Sequence, residues 1–134
     1  MPKILIDSSV YISYFGSDSN TPQSLVFWER ISSKDVKVTS SSLVTAETMI
    51  ILSQQKIPNL PMIYDKLKQI ETTSLDDEFL ELLVNYVTKN RRFLKSSDLI
   101  IVFTAKLHSA TLITWDKRLL DNQICPTLTP SQYI

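Results

Sequence analysis

The stretch SSDLIIVFTAKLH at residues 96–108, followed closely by TLITWD at residues 111–116, carries the strongest pattern in this chain. Asp98 opens a predicted helix whose next five residues, 99–103, are all apolar, so we expect that helix to be buried nearly all round. The run TLIT is typical of a short buried strand, and it ends just before Asp116. Two acids therefore stand at the ends of buried elements, where a carboxylate is costly unless something compensates its charge.

Two further acids stand in comparable positions upstream. Asp7 directly follows the apolar run KILI at residues 3–6, which predicts a buried strand. Glu47 lies in the second turn of a helix predicted over residues 43–55, and a second short strand is predicted just before it at residues 36–39. The chain thus has four acids that a common fold would have to bring to one place.

The alternation of short strands with longer helices predicts an α/β fold, with a short central parallel sheet flanked by helices on both faces. The chain has 134 residues, and no repeat, linker or low-complexity segment divides them, so we expect a single domain over residues 1–134. In a parallel sheet, sites form beyond the carboxyl ends of the strands. We therefore expect the four acids to share one edge of the sheet.

The composition excludes several classes of site. A single glycine excludes glycine-rich phosphate loops, and one cysteine with one histidine leaves no zinc site, disulfide framework or Ser–His–Asp triad. No stretch reaches the ~18 apolar residues of a membrane span, and the N-terminus does not read as a secretory signal, so we expect a cytoplasmic protein without a membrane partner. The net charge of zero argues against a protein that coats nucleic acid, although four acids bound to a metal would leave a positive remainder.

Four carboxylates at one edge would repel one another unless a cation neutralised them. Oxygen ligands of this kind favour Mg²⁺ or Mn²⁺ over zinc, and such ions activate water and stabilise charge on a phosphate. A purely structural interpretation stays open, in which Asp7 and Asp116 cap the elements that follow them and Asp98 is an acid at a helix start. Glu47 fits that interpretation least, because no basic residue lies three or four positions away to pair with it.

The chain resembles the PIN-domain ribonucleases, and in particular the toxin subunits of VapBC toxin–antitoxin pairs. Four segments carry the resemblance, in this order: ILIDSSVYI, VTAETMIIL, SSDLIIVFTAKLHSATLIT and TWDK. No single motif among them is specific. The combination of four acids, a buried helix after the third and a strand that ends in Thr-x-Asp is specific, and it extends over nearly the whole chain.

The resemblance implies a quartet of acids that bind the metal and catalyse the reaction, namely Asp7, Glu47, Asp98 and Asp116. It also implies hydroxyl groups near the metal at Ser9 and Thr114. Alternate residues of a strand point to the same side, so Thr114 suits a contact to the metal site or to a phosphate. The family implies Mg²⁺- or Mn²⁺-dependent cleavage of single-stranded RNA, a homodimer, and inhibition by a small antitoxin protein.

Basic residues near the two late acids are candidate RNA contacts. We hypothesise that they guide the RNA backbone, with a solvated charged surface as an equal alternative, and they are Arg91, Arg92, Lys117 and Arg118. Trp115 stands where the family often has a basic residue. We expect its ring to pack against a neighbouring helix or a dimer partner rather than to stack on a base.

Three other functions are weighed against the nuclease. A catalytically inactive PIN-like module that binds RNA or protein would not need four costly acids together. A nuclease for structured flaps carries long insertions, for which 134 residues leave little room. A Mg²⁺ phosphatase or response-regulator-like domain needs paired acids after the first strand, but Ser8 and Ser9 follow Asp7 instead.

Overall fold

The sheet is parallel throughout the part of the chain that the computed structural model describes, residues 1–91 and 94–134. Its strands are paired in the spatial order β3-β2-β1-β4-β5. They are β1 (Lys3–Ile6), β2 (Lys37–Ser41), β3 (Glu71–Thr73), β4 (Thr111–Ile113) and β5 (Thr127–Leu128). The predicted α/β fold with a short parallel sheet is confirmed.

Helices fill most of the chain between the strands. They are α1 (Ser8–Phe15), α2 (Thr21–Ser32), α3 (Ser42–Gln54), α4 (Leu60–Leu67), α5 (Asp77–Lys89), α6 (Ser96–Leu107), α7 (Lys117–Leu120) and α8 (Pro130–Tyr133). Within the described part of the chain, five of them begin within four residues of the carboxyl end of a strand, namely α1, α3, α5, α7 and α8. Among the described residues, none of these helices combines the length and the apolar character needed to cross a bilayer.

The central strand β1 lies between β2 and β4, and this is where the strand order reverses. From β1 the chain first adds β2 and β3 on one side, and it then returns to add β4 and β5 on the other. The pairing of β1 with β4 continues one residue past the strand, because the Asp7 N–H donates to the Ile113 carbonyl at 2.9 Å. A crevice at such a reversal is the usual place for a site in an open parallel sheet.

The core is built from the central strands and the helix behind them. The β1 and β4 residues Ile4, Leu5, Ile6, Leu112 and Ile113 have no exposed surface, and burial of each stabilises the fold by about 1.5–3 kcal/mol. On α6, residues 101–105 are buried in succession, as the unbroken apolar run predicts. The first turn differs, since residues 99 and 100 are only partly buried and leave that end of the helix open at the sheet edge.

Some boundaries depart from the sequence-based prediction. Strand β2 runs two residues further than expected, through Ser41, whose Oγ then accepts the N–H of Leu43 at 3.2 Å and caps α3. The sequence does not predict β3, because its residues are mostly exposed and show no apolar alternation. It is an edge strand, held by backbone pairing to β2.

Candidate active site

Asp7 is the most buried acid of the quartet, with 4% of its surface exposed. Its Oδ2 accepts two hydrogen bonds, from the Ser9 hydroxyl at 2.9 Å and from the Thr114 hydroxyl at 2.8 Å. Burial raises the pKa of Asp7 above its ordinary value, and these hydrogen bonds offset that rise only in part. Two neutral donors thus orient the Asp7 carboxylate without supplying a counter-charge.

Thr114 connects the two acids that follow the central strands. Its side chain is fully buried, and besides donating to Asp7 its Oγ1 accepts the N–H of Asp116 at 2.9 Å. The hydroxyl of Ser9 lies 3.2 Å from that of Thr114 and accepts the backbone N–H of Trp115 at 3.0 Å. The segment after β4 is therefore tied to the first turn of α1 through two hydroxyl groups.

Glu47 lies in the second turn of α3, where the prediction placed it. Its Oε1 is buried and has no hydrogen-bond partner among the described residues. Burial raises the pKa of Glu47, and the negative charges of Asp7 and Asp98 raise it further. Because such repulsion falls off with distance, Asp7 before α1 and Asp98 in the first turn of α6 are near enough for their charges to act on Glu47 in α3.

The environment of Asp116 is different, because a cation contacts it. Arg118 donates from Nε to Oδ1 at 3.1 Å and from Nη2 to Oδ2 at 2.7 Å. The hydrogen bond with this guanidinium lowers the pKa of Asp116 below its ordinary value. The pKa of Arg118 is raised by Asp116 first and then by Asp98 and Asp7. The guanidinium therefore experiences the charge of three members of the quartet.

The model of the PIN domain family matches residues 4–123. The chain belongs to the PIN-domain family. No curated protein matches the sequence of this PIN domain closely enough to count as a relative.

Solved structures with the same fold include a toxin and a toxin–antitoxin complex. A toxin–antitoxin complex from Klebsiella pneumoniae superposes with a TM-score of 0.70 at 20% identity, covering 95% of this chain and 97% of that one. The sarcin–ricin-loop-cleaving toxin VapC20 of Mycobacterium tuberculosis gives 0.69 at 14% identity, covering 87% and 92%. FitAcB from Neisseria gonorrhoeae gives 0.66 at 18% identity, covering 96% and 98%. At such identities the likeness establishes the fold.

The acids of this PIN domain fit a hard divalent cation by their chemistry. Their donors are carboxylate oxygens, and one of them, Glu47 Oε1, is buried without a partner in the described part of the chain. In residues 1–91 and 94–134, however, no three His, Cys, Asp or Glu side chains form a set that would hold a metal as they stand. Repulsion among the acids and the ion pair of Arg118 with Asp116 both favour an arrangement in which the carboxylates lie further apart than metal ligands would.

The basic candidates differ in where they lie. Arg118 forms the ion pair described above, whereas Lys117 and Arg91 are exposed and Arg92 lies outside the described residues. Lys95, just before α6, carries a charge that also lowers the pKa of Asp116. Among the described residues, Arg118 and Lys95 are therefore the basic side chains whose charges lower the pKa of Asp116.

Sequence reasoning missed the buried serines behind the site. The indole N–H of Trp115 donates to Ser24 Oγ at 2.9 Å, Ser24 donates to Ser13 at 3.0 Å, and Ser13 donates to Asp18 Oδ1 at 2.9 Å. The contact with Ser24 places the Trp115 ring against α2, in agreement with the expected packing against a helix. No signal in the sequence distinguishes these two serines from solvent-facing ones.

Proposed function

We propose that this PIN domain is an endoribonuclease that uses Mg²⁺ or Mn²⁺ to hydrolyse single-stranded RNA, and that it is the toxin of a toxin–antitoxin pair. The observation that carries the proposal is the state of Glu47. Its buried Oε1 lacks a partner among the described residues, and two neighbouring acids raise its pKa. Acids that destabilise one another in this way gain stability from a divalent cation.

Each acid then has a role. Asp7, Asp98 and Asp116 would hold the ion most directly, and Glu47 would bind it through water or orient the attacking water. When bound, the ion lowers the pKa of a water molecule and stabilises charge on the phosphate that is attacked. Ser9 and Thr114 hold the Asp7 carboxylate in position through their hydrogen bonds to Oδ2.

The basic side chains would bind the RNA backbone. Among the described residues, Arg118 and Lys95 are cations whose charges act on Asp116, so a phosphate drawn toward them would lie beside the proposed metal site. The exposed Lys117 and Arg91 extend this surface, and Arg92, which lies outside the described residues, is proposed for the same role on sequence grounds alone.

The proposal includes a small antitoxin protein, a homodimer and a cytoplasmic location. The toxin–antitoxin complex among the structures with this fold supports a protein partner. The surface of α5 supports a protein contact as well, since Leu80 and Val84, one turn apart on that helix, are 42% and 59% exposed. Apolar side chains gathered on one exposed helix are typical of a surface that another protein covers.

Cleavage of total cellular RNA by the purified protein tests the proposal. The reaction is run with Mn²⁺, with Mg²⁺ and with a chelator, and Asp98→Asn serves as the matched variant. We expect discrete fragments from the wild-type protein only when metal is present. Fragments that persist with the chelator or with Asp98→Asn would contradict the proposal.

The second candidate is an inactive PIN-like module that binds RNA or protein. The observation that favours it is the ion pair between Arg118 and Asp116, in which a side chain of the protein already neutralises one acid of the quartet. Titration with Mn²⁺, followed by electron paramagnetic resonance, separates the two functions. Saturable binding supports the nuclease, and no binding at millimolar Mn²⁺ supports the inactive module.

A further inference from the structure

Trp115 lies between Thr114 and Asp116, and both of its N–H groups are engaged in hydrogen bonds. The backbone N–H donates to Ser9 Oγ at 3.0 Å, and the indole N–H donates to Ser24 Oγ at 2.9 Å. One residue thus reaches the site on one side and helix α2 on the other.

The backbone N–H of Trp115 determines the direction of the Ser9 hydroxyl. A hydroxyl has one proton, and Ser9 donates that proton to Asp7 Oδ2 at 2.9 Å. The Ser9 oxygen is then free to accept, and the N–H of Trp115 fills that position. A shift of Trp115 would therefore alter the hydrogen bond that orients Asp7.

The indole N–H begins a second series of hydrogen bonds that ends on another carboxylate. Ser24 donates to Ser13, and Ser13 donates to Asp18 Oδ1, which also accepts the N–H of Asn20 at 2.8 Å. Ser13 and Ser24 have no exposed surface, so an unpaired hydroxyl at either position would be costly. Hydrogen bonds that point the same way polarise and strengthen one another.

We infer that Trp115 is a positioning residue that holds the Asp7 carboxylate in place by tying it to the turn between α1 and α2. Both series of hydrogen bonds run outward from Trp115, one to Asp7 and one to Asp18. The segment after β4 cannot rotate without breaking a bond in one series or the other. The inference rests on the proposed function in one respect, the role of Asp7 as a metal ligand.

The other tryptophan provides a matched control. The Nε1 of Trp28 is buried and has no hydrogen-bond partner within the described residues. Trp28→Phe and Trp115→Phe therefore make the same chemical change, but only the second removes a hydrogen bond.

The first test measures Mn²⁺ affinity and cleavage kinetics in Trp115→Phe, Ser24→Ala, the double variant and Trp28→Phe. We expect each of the first two to weaken Mn²⁺ binding about 3- to 10-fold, less than the ~10–100-fold typical of a residue that contacts a ligand directly. The double variant should equal either single one, because both remove the same bond. The kcat should fall while KM for RNA stays unchanged, and Trp28→Phe should behave as wild type. Wild-type affinity in Trp115→Phe, or additive effects, would overturn the inference.

The second test does not depend on metal or activity. The two indole N–H groups give two resonances in a ¹⁵N–¹H spectrum, assigned with the two Trp→Phe variants. Ser9→Ala should shift the Trp115 indole resonance and leave that of Trp28 in place, and Ser13→Ala should do the same from the opposite end. An unmoved Trp115 resonance in both variants would overturn the inference. A wild-type protein that neither binds Mn²⁺ nor cuts RNA would overturn the proposed function. The spectrum would still test whether the two series of hydrogen bonds from Trp115 are coupled.

Discussion

Asp7 and Asp116 occupy equivalent places in the fold, but their surroundings shift their pKa values in opposite directions. Each follows the end of one of two neighbouring parallel strands, β1 and β4. Asp7 is buried and accepts hydrogen bonds from neutral hydroxyls, and its pKa is raised. The side chain of Asp116 is 23% exposed and contacts a guanidinium, and its pKa is lowered.

The difference teaches that orientation and neutralisation are separate tasks. The hydroxyls of Ser9 and Thr114 orient Asp7 but leave its charge uncompensated. The need for an external cation therefore lies with Asp7 and with Glu47, whose pKa values are both raised. Asp116 carries its own cation two residues along the chain. A metal ion would therefore be attracted by Asp7 and Glu47 and would compete with Arg118 for Asp116.

The largest effect is expected from Asp7→Asn. Loss of a direct ligand should reduce RNA cleavage at least about 100-fold, more than the ~10–100-fold typical of residues that support a ligand. The same substitution removes a buried charge, so the metal-free variant should be more stable than wild type at pH 7. Cleavage rates and chemical unfolding of the same preparation measure both effects. A variant that loses activity and also loses stability would contradict this assignment of Asp7.

Thr114→Val tests the residue that links the two acids. The substitution keeps the shape of this buried side chain but removes the donor to Asp7 and the acceptor for the N–H of Asp116. We expect Mn²⁺ affinity to fall about 10–100-fold. Thr114→Ser keeps the hydroxyl and should recover most of the affinity. Equal affinity in the valine variant would show that the hydroxyl does not support the site.

The pH dependence of stability in the metal-free protein should have opposite signs for the two acids. Because the pKa of Asp7 is raised, its carboxyl group holds a proton more tightly in the folded state than in the unfolded state. The contribution of Asp7 to folding stability is therefore largest below the ordinary pKa of 3.8, and it declines as pH rises through the folded pKa. The lowered pKa of Asp116 stabilises the fold above 3.8, and this is lost as pH falls through the folded pKa. Denaturant unfolding from pH 3 to 7 should therefore show Asp7→Asn gaining and Asp116→Asn losing stability, relative to wild type, toward neutral pH. The same sign for both variants would contradict the comparison.

The sequence predicts those features of the site that depend on residues adjacent in the chain. Apolar runs that end in an acid predict β1 with Asp7 and β4 with Asp116, and the unbroken run after Asp98 predicts a buried helix. A chain in which the apolar pattern and the turn residues agree leaves few alternatives at these positions.

The rest depends on partners that are brought together only by folding. Strand β3 is exposed and held by backbone pairing, so its side chains carry no strand pattern. Ser13 and Ser24 are buried and hydrogen-bonded only because α1, α2 and the Trp115 indole meet. Ser24 and Trp115 are 91 residues apart in sequence. The sequence interpretation left Arg118 either as an RNA contact or as part of a solvated charged surface, and only the structure shows that it contacts Asp116.

Arg118→Ala should give the smallest effect on Mn²⁺ affinity, and it should raise that affinity where the other substitutions lower it. If the guanidinium competes with a metal for Asp116, its removal should tighten Mn²⁺ binding about two- to fivefold at low salt, because an exposed ion pair is weak. Salt screens such a pair, so the gain should shrink as ionic strength rises. RNA binding should weaken at the same time and lose part of its salt dependence, since one cation fewer meets the phosphates. Lys117→Ala removes a neighbouring exposed charge and should affect RNA binding alone. Weaker Mn²⁺ binding in Arg118→Ala would instead make the arginine a support of Asp116, as Ser9 and Thr114 are supports of Asp7.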